Sequence, residues 1–277
     1  MAVREHALPP SPEQSVRLRQ VGVPWIAFLV LAALAWVVTI DQARGMGVGP
    51  GTMGMALPLF LGMWVAMMGA MMFPSVAPVA VLWSRAIARR SDGIERAVRT
   101  SSFVSGYLMA WTGYGLLAFG ALVGTERLVE ASPNAAKWLG VGVFALAGIY
   151  QLTPLKEACL THCRSPMMQL LHYSSYSGKA RDLRVGLHHG AYCVGCCWGL
   201  MIVLIAVGVM NVAAMAALAA VIFLEKLWAH GKLLSRAVGV AFIVIGALAA
   251  FYPDLLPALQ ANAMHIGGMD TGIGMGG

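Results

Sequence analysis

The sequence predicts an all-α fold: a polytopic transmembrane helical bundle of about seven helices, N-terminus in and C-terminus out. Three observations carry that expectation. Hydrophobic residues make up 59% of the chain and charged residues only 11%, whereas a soluble domain carries about 25% charged residues. The apolar residues fall in continuous blocks, each near the roughly 20 helical residues that cross a bilayer core, and do not alternate as barrel strands would. Lys and Arg, finally, are gathered on one side of those blocks.

The blocks lie near 24–40, 57–83, 101–123, 137–155, 187–210, 212–228 and 236–252. With the N-terminus in the cytoplasm, sixteen of the nineteen Lys and Arg residues fall inside, leaving Arg44, Arg127 and Lys137 outside. The net charge of +7 is therefore read as a topology signal. Its partner is the lipid bilayer, with no nucleic acid implied.

Four regions follow. Residues 1–22, with Pro9, Pro10 and Pro12, read as a disordered cytoplasmic tail. Residues 23–56 hold an anchor helix, whose run from Trp25 lacks the small-residue exit of a cleavable signal, and an outer Gly/Met loop. Residues 57–254 form the membrane helical domain, and 255–277 a Gly/Met-rich outer tail.

Within the second block, Met63, Met67 and Met71 recur at helical spacing, with Met68 and Met72 one position round. Pro74 and Pro78 are expected to kink its lower half and free backbone carbonyls. The fifth and sixth blocks are joined through Val209, Met210, Asn211 and Val212 with almost no linker, which makes them antiparallel neighbours. Cys197 lies thirteen residues before Met210 and Glu225 thirteen after Val212, so both sit about 20 Å below the turn.

The chemistry concentrates in HHGAYCVGCCW, His188 to Trp198. His189, Cys193 and Cys197 share a helical stripe, with Cys196 alongside. The remaining two of the five cysteines, Cys159 and Cys163, flank His162 at the same spacing. Thiolate and imidazole are soft and borderline ligands, and in cytoplasmic segments thiols stay reduced, so a metal site is expected rather than disulfides. The candidate ligands are Cys159, His162, Cys163, His188, His189, Cys193, Cys196 and Cys197. Each group alone supplies only two or three soft ligands, short of a closed tetrahedral shell, so one shared cluster is expected. Cu(I) is favoured because the Met stripe (Met63, Met67, Met71, Met68, Met72) and the outer Met46, Met53 and Met55 offer thioethers that select it; Zn(II) is the alternative.

Glu225 is an ionisable residue in an apolar helix and reads as a partner of the site. Lys226 is expected to snorkel to the cytoplasmic surface, leaving Glu225 to turn inward. Three functions fit these features. The first is a protein that takes up or delivers Cu(I), with a metallochaperone or membrane enzyme as acceptor and no catalytic residues. The second is a membrane redox enzyme using Cys193-x-x-Cys196, haem or a catalytic metal. The third is a structural zinc site.

QLTPLKEACLTHCRSP (151–166), GLHHGAYCVGCCWGLM (186–201), GVMN (208–211), LEK (224–226) and WVAMMGAMMFPS (64–75) together carry a resemblance. Over roughly residues 57–250 the chain resembles a bacterial family of predicted metal-binding integral membrane proteins of uncharacterised function. That resemblance implies metal binding and the bacterial inner (cytoplasmic) membrane, without an activity.

Overall fold

A computed structural model of the chain describes residues 12–44, 54–88 and 93–252, together with Thr52, Ser91, Leu256 and Leu259. Among the described residues there are nine α-helices and no strand. In chain order they are α1 (Pro12–Arg44), α2 (Leu57–Ala88), α3 (Gly93–Ala131), α4 (Pro133–Gln151), α5 (Pro154–Arg164), α6 (Pro166–Ser174), α7 (Arg181–Val207), α8 (Val212–Leu227) and α9 (Gly231–Ala249). The seven apolar blocks centre on α1, α2, α3, α4, α7, α8 and α9, and the connection after the fourth block folds into α5 and α6.

Five helices, α1 from Trp25 onward, α2, α3, α7 and α9, are long and apolar enough to cross a membrane. They become six if α4 and α5, bent by 62° at their junction, form one broken span. The 16 residues of α8 fall short of that length.

Residues 12–22, expected as disordered tail, continue the first helix instead. Glu13, Gln14, Arg17, Leu18, Arg19 and Gln20 are strong helix formers, and Pro12 stands at the first turn where no amide donor is needed. Residues 1–11, Met46, Met53 and the tail beyond Leu259 lie outside the described residues. α2 runs through Pro74 and Pro78 as one helix, and the Ser75 hydroxyl donates to the Met72 carbonyl at 2.9 Å.

α7 is the central helix, packed on α3, α4 and α5. Its contact with α3 is close because glycines face backbone. A methyl on Gly186 would run into the Phe103 carbonyl, and one on Gly106 into the Leu183 carbonyl. Small residues at such crossings let apolar helices gain dispersion contacts without a clash. The N-terminal end of α7 is fixed by Asp182, which accepts from Trp83 Nε1 of α2 at 3.1 Å and from Arg99 Nε of α3 at 2.9 Å.

Gly186→Leu should therefore lose about 1–3 kcal/mol through overpacking. Gly120→Leu, at a position with nothing within 4 Å of an added Cβ, should leave the thermal midpoint unchanged. Thermal unfolding of the two variants in detergent checks this, and equal midpoints would dismiss the close crossing.

Two local devices set the site. Thr153 caps α5 by accepting from the Lys156 amide, with Pro154 behind it at the first helical position. The resulting bend lays α5 across α7 and turns Lys156, Leu160 and Cys163 inward, at i, i+4 and i+7. At the other end, Gly208 takes φ 102° and the Asn211 side chain caps α8 by accepting from Ala214 N. The chain thus reverses within four residues, as the spacing required.

Candidate metal centre

Helical spacing puts Cys193, Cys196 and Cys197 on the buried side of α7, and their sulfurs all lie within 4.8 Å of one another. The Cys196 and Cys197 sulfurs are 3.3 Å apart. α5 adds a fourth thiol, Cys163, whose sulfur lies 3.7 Å from that of Cys196. Thiolates around one ion at about 2.3 Å stand roughly 3.8–4.0 Å from each other. The Cys163–Cys196 spacing is close to that, and the 3.3 Å between Cys196 and Cys197 lies below it and opens with a small side-chain rotation, so the donor set fits a thiophilic ion.

The eight predicted ligands divide. Cys163, Cys193, Cys196 and Cys197 come together and all four are buried. Cys159 is half-buried and packs its sulfur against Gly195, with no thiol partner. His189 is buried but stacks between the Phe103 and Tyr107 rings, at centroid distances of 6.2 and 6.1 Å. Among the described residues its Nδ1 has no hydrogen-bond partner, and it does not join the thiol group. His162 and His188 meet each other across α5 and α7, with centroids 5.8 Å apart, on the wall of an open cavity.

Two lysines stand beside the thiols. Lys226, expected to snorkel, is instead 8% exposed. Its Nζ donates to Cys193 Sγ at 3.0 Å and to Ser75 Oγ of α2 at 3.2 Å. An ammonium snorkels to find water, and a thiolate supplies the same stabilisation inside. Lys156 donates to the Cys196 carbonyl and pairs with Glu225 at 2.8 Å, both side chains being 1% exposed. Gln151 Nε2 donates to the other Glu225 oxygen at 2.8 Å. Glu225 therefore turns inward as expected, but towards an ammonium. Its route to the thiols runs through Lys156 and the Cys196 backbone.

Tyr107 completes the surroundings of Cys193, with its hydroxyl 3.1 Å from the sulfur. Tyr150 donates to the Gly195 carbonyl and packs at a tilt against Trp198, with ring centroids 4.5 Å apart. The five methionines of α2 are buried. Met71 and Met72 sit one turn before Ser75, which touches Lys226, so the lower end of the stripe lies near the thiols.

Lys156, Lys226, Tyr107 and Ser75 escaped the sequence reading. Lys156 alone left a signal, since it precedes Cys159 and Cys163 by three and seven residues on one helical face.

Residues 61–249 match the profile of the PpoB2 family, described as copper chaperone. No curated protein and no solved structure gives a significant match. The matched stretch covers well over half of the chain and contains every thiol of the cluster, so the chain belongs to the PpoB2 family.

Proposed function

We propose that this protein is an inner-membrane copper chaperone. It holds one Cu(I) among Cys163, Cys193, Cys196 and Cys197 and hands it to a metallochaperone or a membrane enzyme. The observation that carries this reading is the group of three buried thiols, Cys193, Cys196 and Cys197, within 4.8 Å of one another, with Cys163 3.7 Å from Cys196 and a buried ammonium on Cys193. The family description adds support for copper.

Charge selects the ion. Lys156 and Glu225 cancel, which leaves Lys226 as the uncompensated cation beside the sulfurs. Cu(I) with two thiolates carries one negative charge, and Lys226 brings the site to neutrality. In a low-dielectric surrounding a net charge is costly. The other thiols stay protonated, as hydrogen-bond donors or exchanging ligands, so the ion is held without being trapped. Zn(II) favours a closed tetrahedral shell. Four thiolates around it leave one negative charge after Lys226, while three leave the shell open. Zinc must give up one or the other.

We further propose the seven-span arrangement in a bacterial inner membrane, N-terminus inside, with α8 as a short span and the α2 methionines on the route from outside. The Lys and Arg asymmetry supports it even with the buried Lys156 and Lys226 left out of the loops.

Metal analysis of protein purified anaerobically in detergent tests the function. About one equivalent of copper, silent in electron paramagnetic resonance as a d¹⁰ ion is, is the expected result. Stoichiometric zinc that copper does not displace would favour the structural reading, to which Cys163 as a fourth thiol lends its one observation.

A further inference from the structure

Beside the thiols lies a second group of metal-type donors that the chaperone reading does not use. A cavity of about 490 Å³ is lined by His162 of α5, His172 of α6 and His188 of α7, with Met168 and Tyr192 among its other walls. His172 is exposed and belongs to neither of the Cys/His motifs in the sequence. Its ring centroid is 5.4 Å from that of His188, and His188 is 5.8 Å from His162. Two imidazoles on one ion, each bonded at about 2.1 Å, place their centroids roughly 5–6.5 Å apart, from tetrahedral to linear geometry. Both pairs fall inside that interval.

The rings are also held. Tyr173 is buried, with its hydroxyl facing the His188 ring. That hydroxyl lies 3.2 Å from His188 Nδ1, which leaves Nε2 for a ligand role. A metal-binding histidine is oriented in this way by a partner on its other nitrogen. His162 is stacked face to face on Tyr192, at 3.8 Å and 17°, and Gln169 donates to its backbone carbonyl. Three imidazoles, two of them pinned by buried or stacked aromatics, converge on one open space.

We propose that His162, His172 and His188 form a second metal site, a docking station at the mouth of the thiol cluster. The placement of the binding residues is independent of the chaperone reading, but the docking role rests on it. His188, Tyr192 and Cys196 recur every four residues of α7, so Cys196 lies about 6 Å along the helix from Tyr192 in the cavity wall, and Cys193 follows Tyr192 directly. Cys163 follows His162 directly. An ion held by the open imidazoles can therefore pass to sulfur by ligand exchange, with no change of oxidation state. Each thiol that ligates releases its proton, and each imidazole that lets go is free for the next ion. Imidazole binds copper more weakly than buried thiolate does, so the open site loads and unloads while the buried one retains.

The test uses the full chain in detergent. With all five cysteines replaced by Ser, titration with Cu(II) should give about one bound equivalent whose resonance spectrum carries nitrogen hyperfine splitting. His172→Ala in that background should lower its affinity at least about tenfold. His172→Ala in the otherwise native chain, at an exposed position, should leave the thiol-bound copper in place. It should slow removal of that copper by an added Cu(I) chelator several-fold. Absence of a nitrogen-coordinated copper in the cysteine-free chain would overturn the site, as would chelator kinetics in His172→Ala equal to those of wild type if the cysteine-free chain does not fold. Binding at the imidazoles with no copper at the native thiols would instead sink the chaperone reading and leave this site standing.

Discussion

Cys196→Ser is expected to abolish Cu(I) binding at the buried centre, while Cys159→Ser changes it by no more than about twofold. The two cysteines look alike in sequence, each within four residues of another thiol and close to a histidine. The structure separates them. The Cys196 sulfur stands 3.3 Å from Cys197 and 3.7 Å from Cys163, so it bridges the α5 and α7 contributions. The Cys159 sulfur packs beside Gly195 and is half-buried, away from the group of three thiols. Serine is nearly the same size but offers a hard, protonated oxygen that Cu(I) does not favour. The loss at Cys196 should exceed the roughly 10–100-fold that removal of an outer partner costs. Competition against a Cu(I) chelator of known affinity measures both variants, with circular dichroism as the check on folding. If Cys159→Ser proves the more damaging, the centre lies on the outer face of α5 and the four-thiol cluster is not the binding site.

The parts legible in the sequence are those set by local periodicity. The seven continuous apolar blocks each centre on a helix, and five of those helices are long and apolar enough to cross a membrane. The i, i+3, i+4 spacing put Cys193, Cys196 and Cys197 together, and the four residues between α7 and α8 forced their reversal. Contacts made between distant helices left no trace of that kind. Lys226, one residue before the last of α8, has the pattern of a snorkelling lysine. Its burial is worthwhile only because Cys193 of α7 and Ser75 of α2 supply partners. Tyr107 reaches the same sulfur from eighty-six residues away. His172 follows no spacing from the other histidines, and only the fold of α6 against α7 brings its ring to His188. Helical spacing accounts for Cys193, Cys196 and Cys197 as a group, whereas the place of Cys163 beside them and the separate imidazole cavity depend on contacts between helices.

The Lys156–Glu225 pair yields the largest expected effect on stability. Glu225→Gln should destabilise the protein by about 3–5 kcal/mol, because it leaves the Lys156 ammonium buried without its counter-charge. Both side chains are 1% exposed, and the pair is 2.8 Å long. The remaining partner of Lys156, the Cys196 carbonyl, is a neutral acceptor. A glutamine fits the space and still accepts a hydrogen bond, so the loss is one of charge rather than of packing. The same change unbalances the metal centre, since Lys156 and Lys226 then both stand uncompensated beside the thiols. A surrounding with two cations disfavours an incoming Cu(I) unless another thiol ionises, so copper affinity should fall with stability. The double variant Lys156→Met, Glu225→Leu separates the two effects. Replacing a buried ion pair by apolar residues of similar volume is commonly neutral or stabilising, and Lys226 keeps its place against Cys193. Thermal midpoint and copper affinity should therefore both return towards wild type. If Glu225→Gln unfolds at the wild-type temperature, the carboxylate is solvated and the buried pair does not exist. If the double variant regains stability but not copper, the pair serves the metal directly, and the neutral-charge account of the site is wrong.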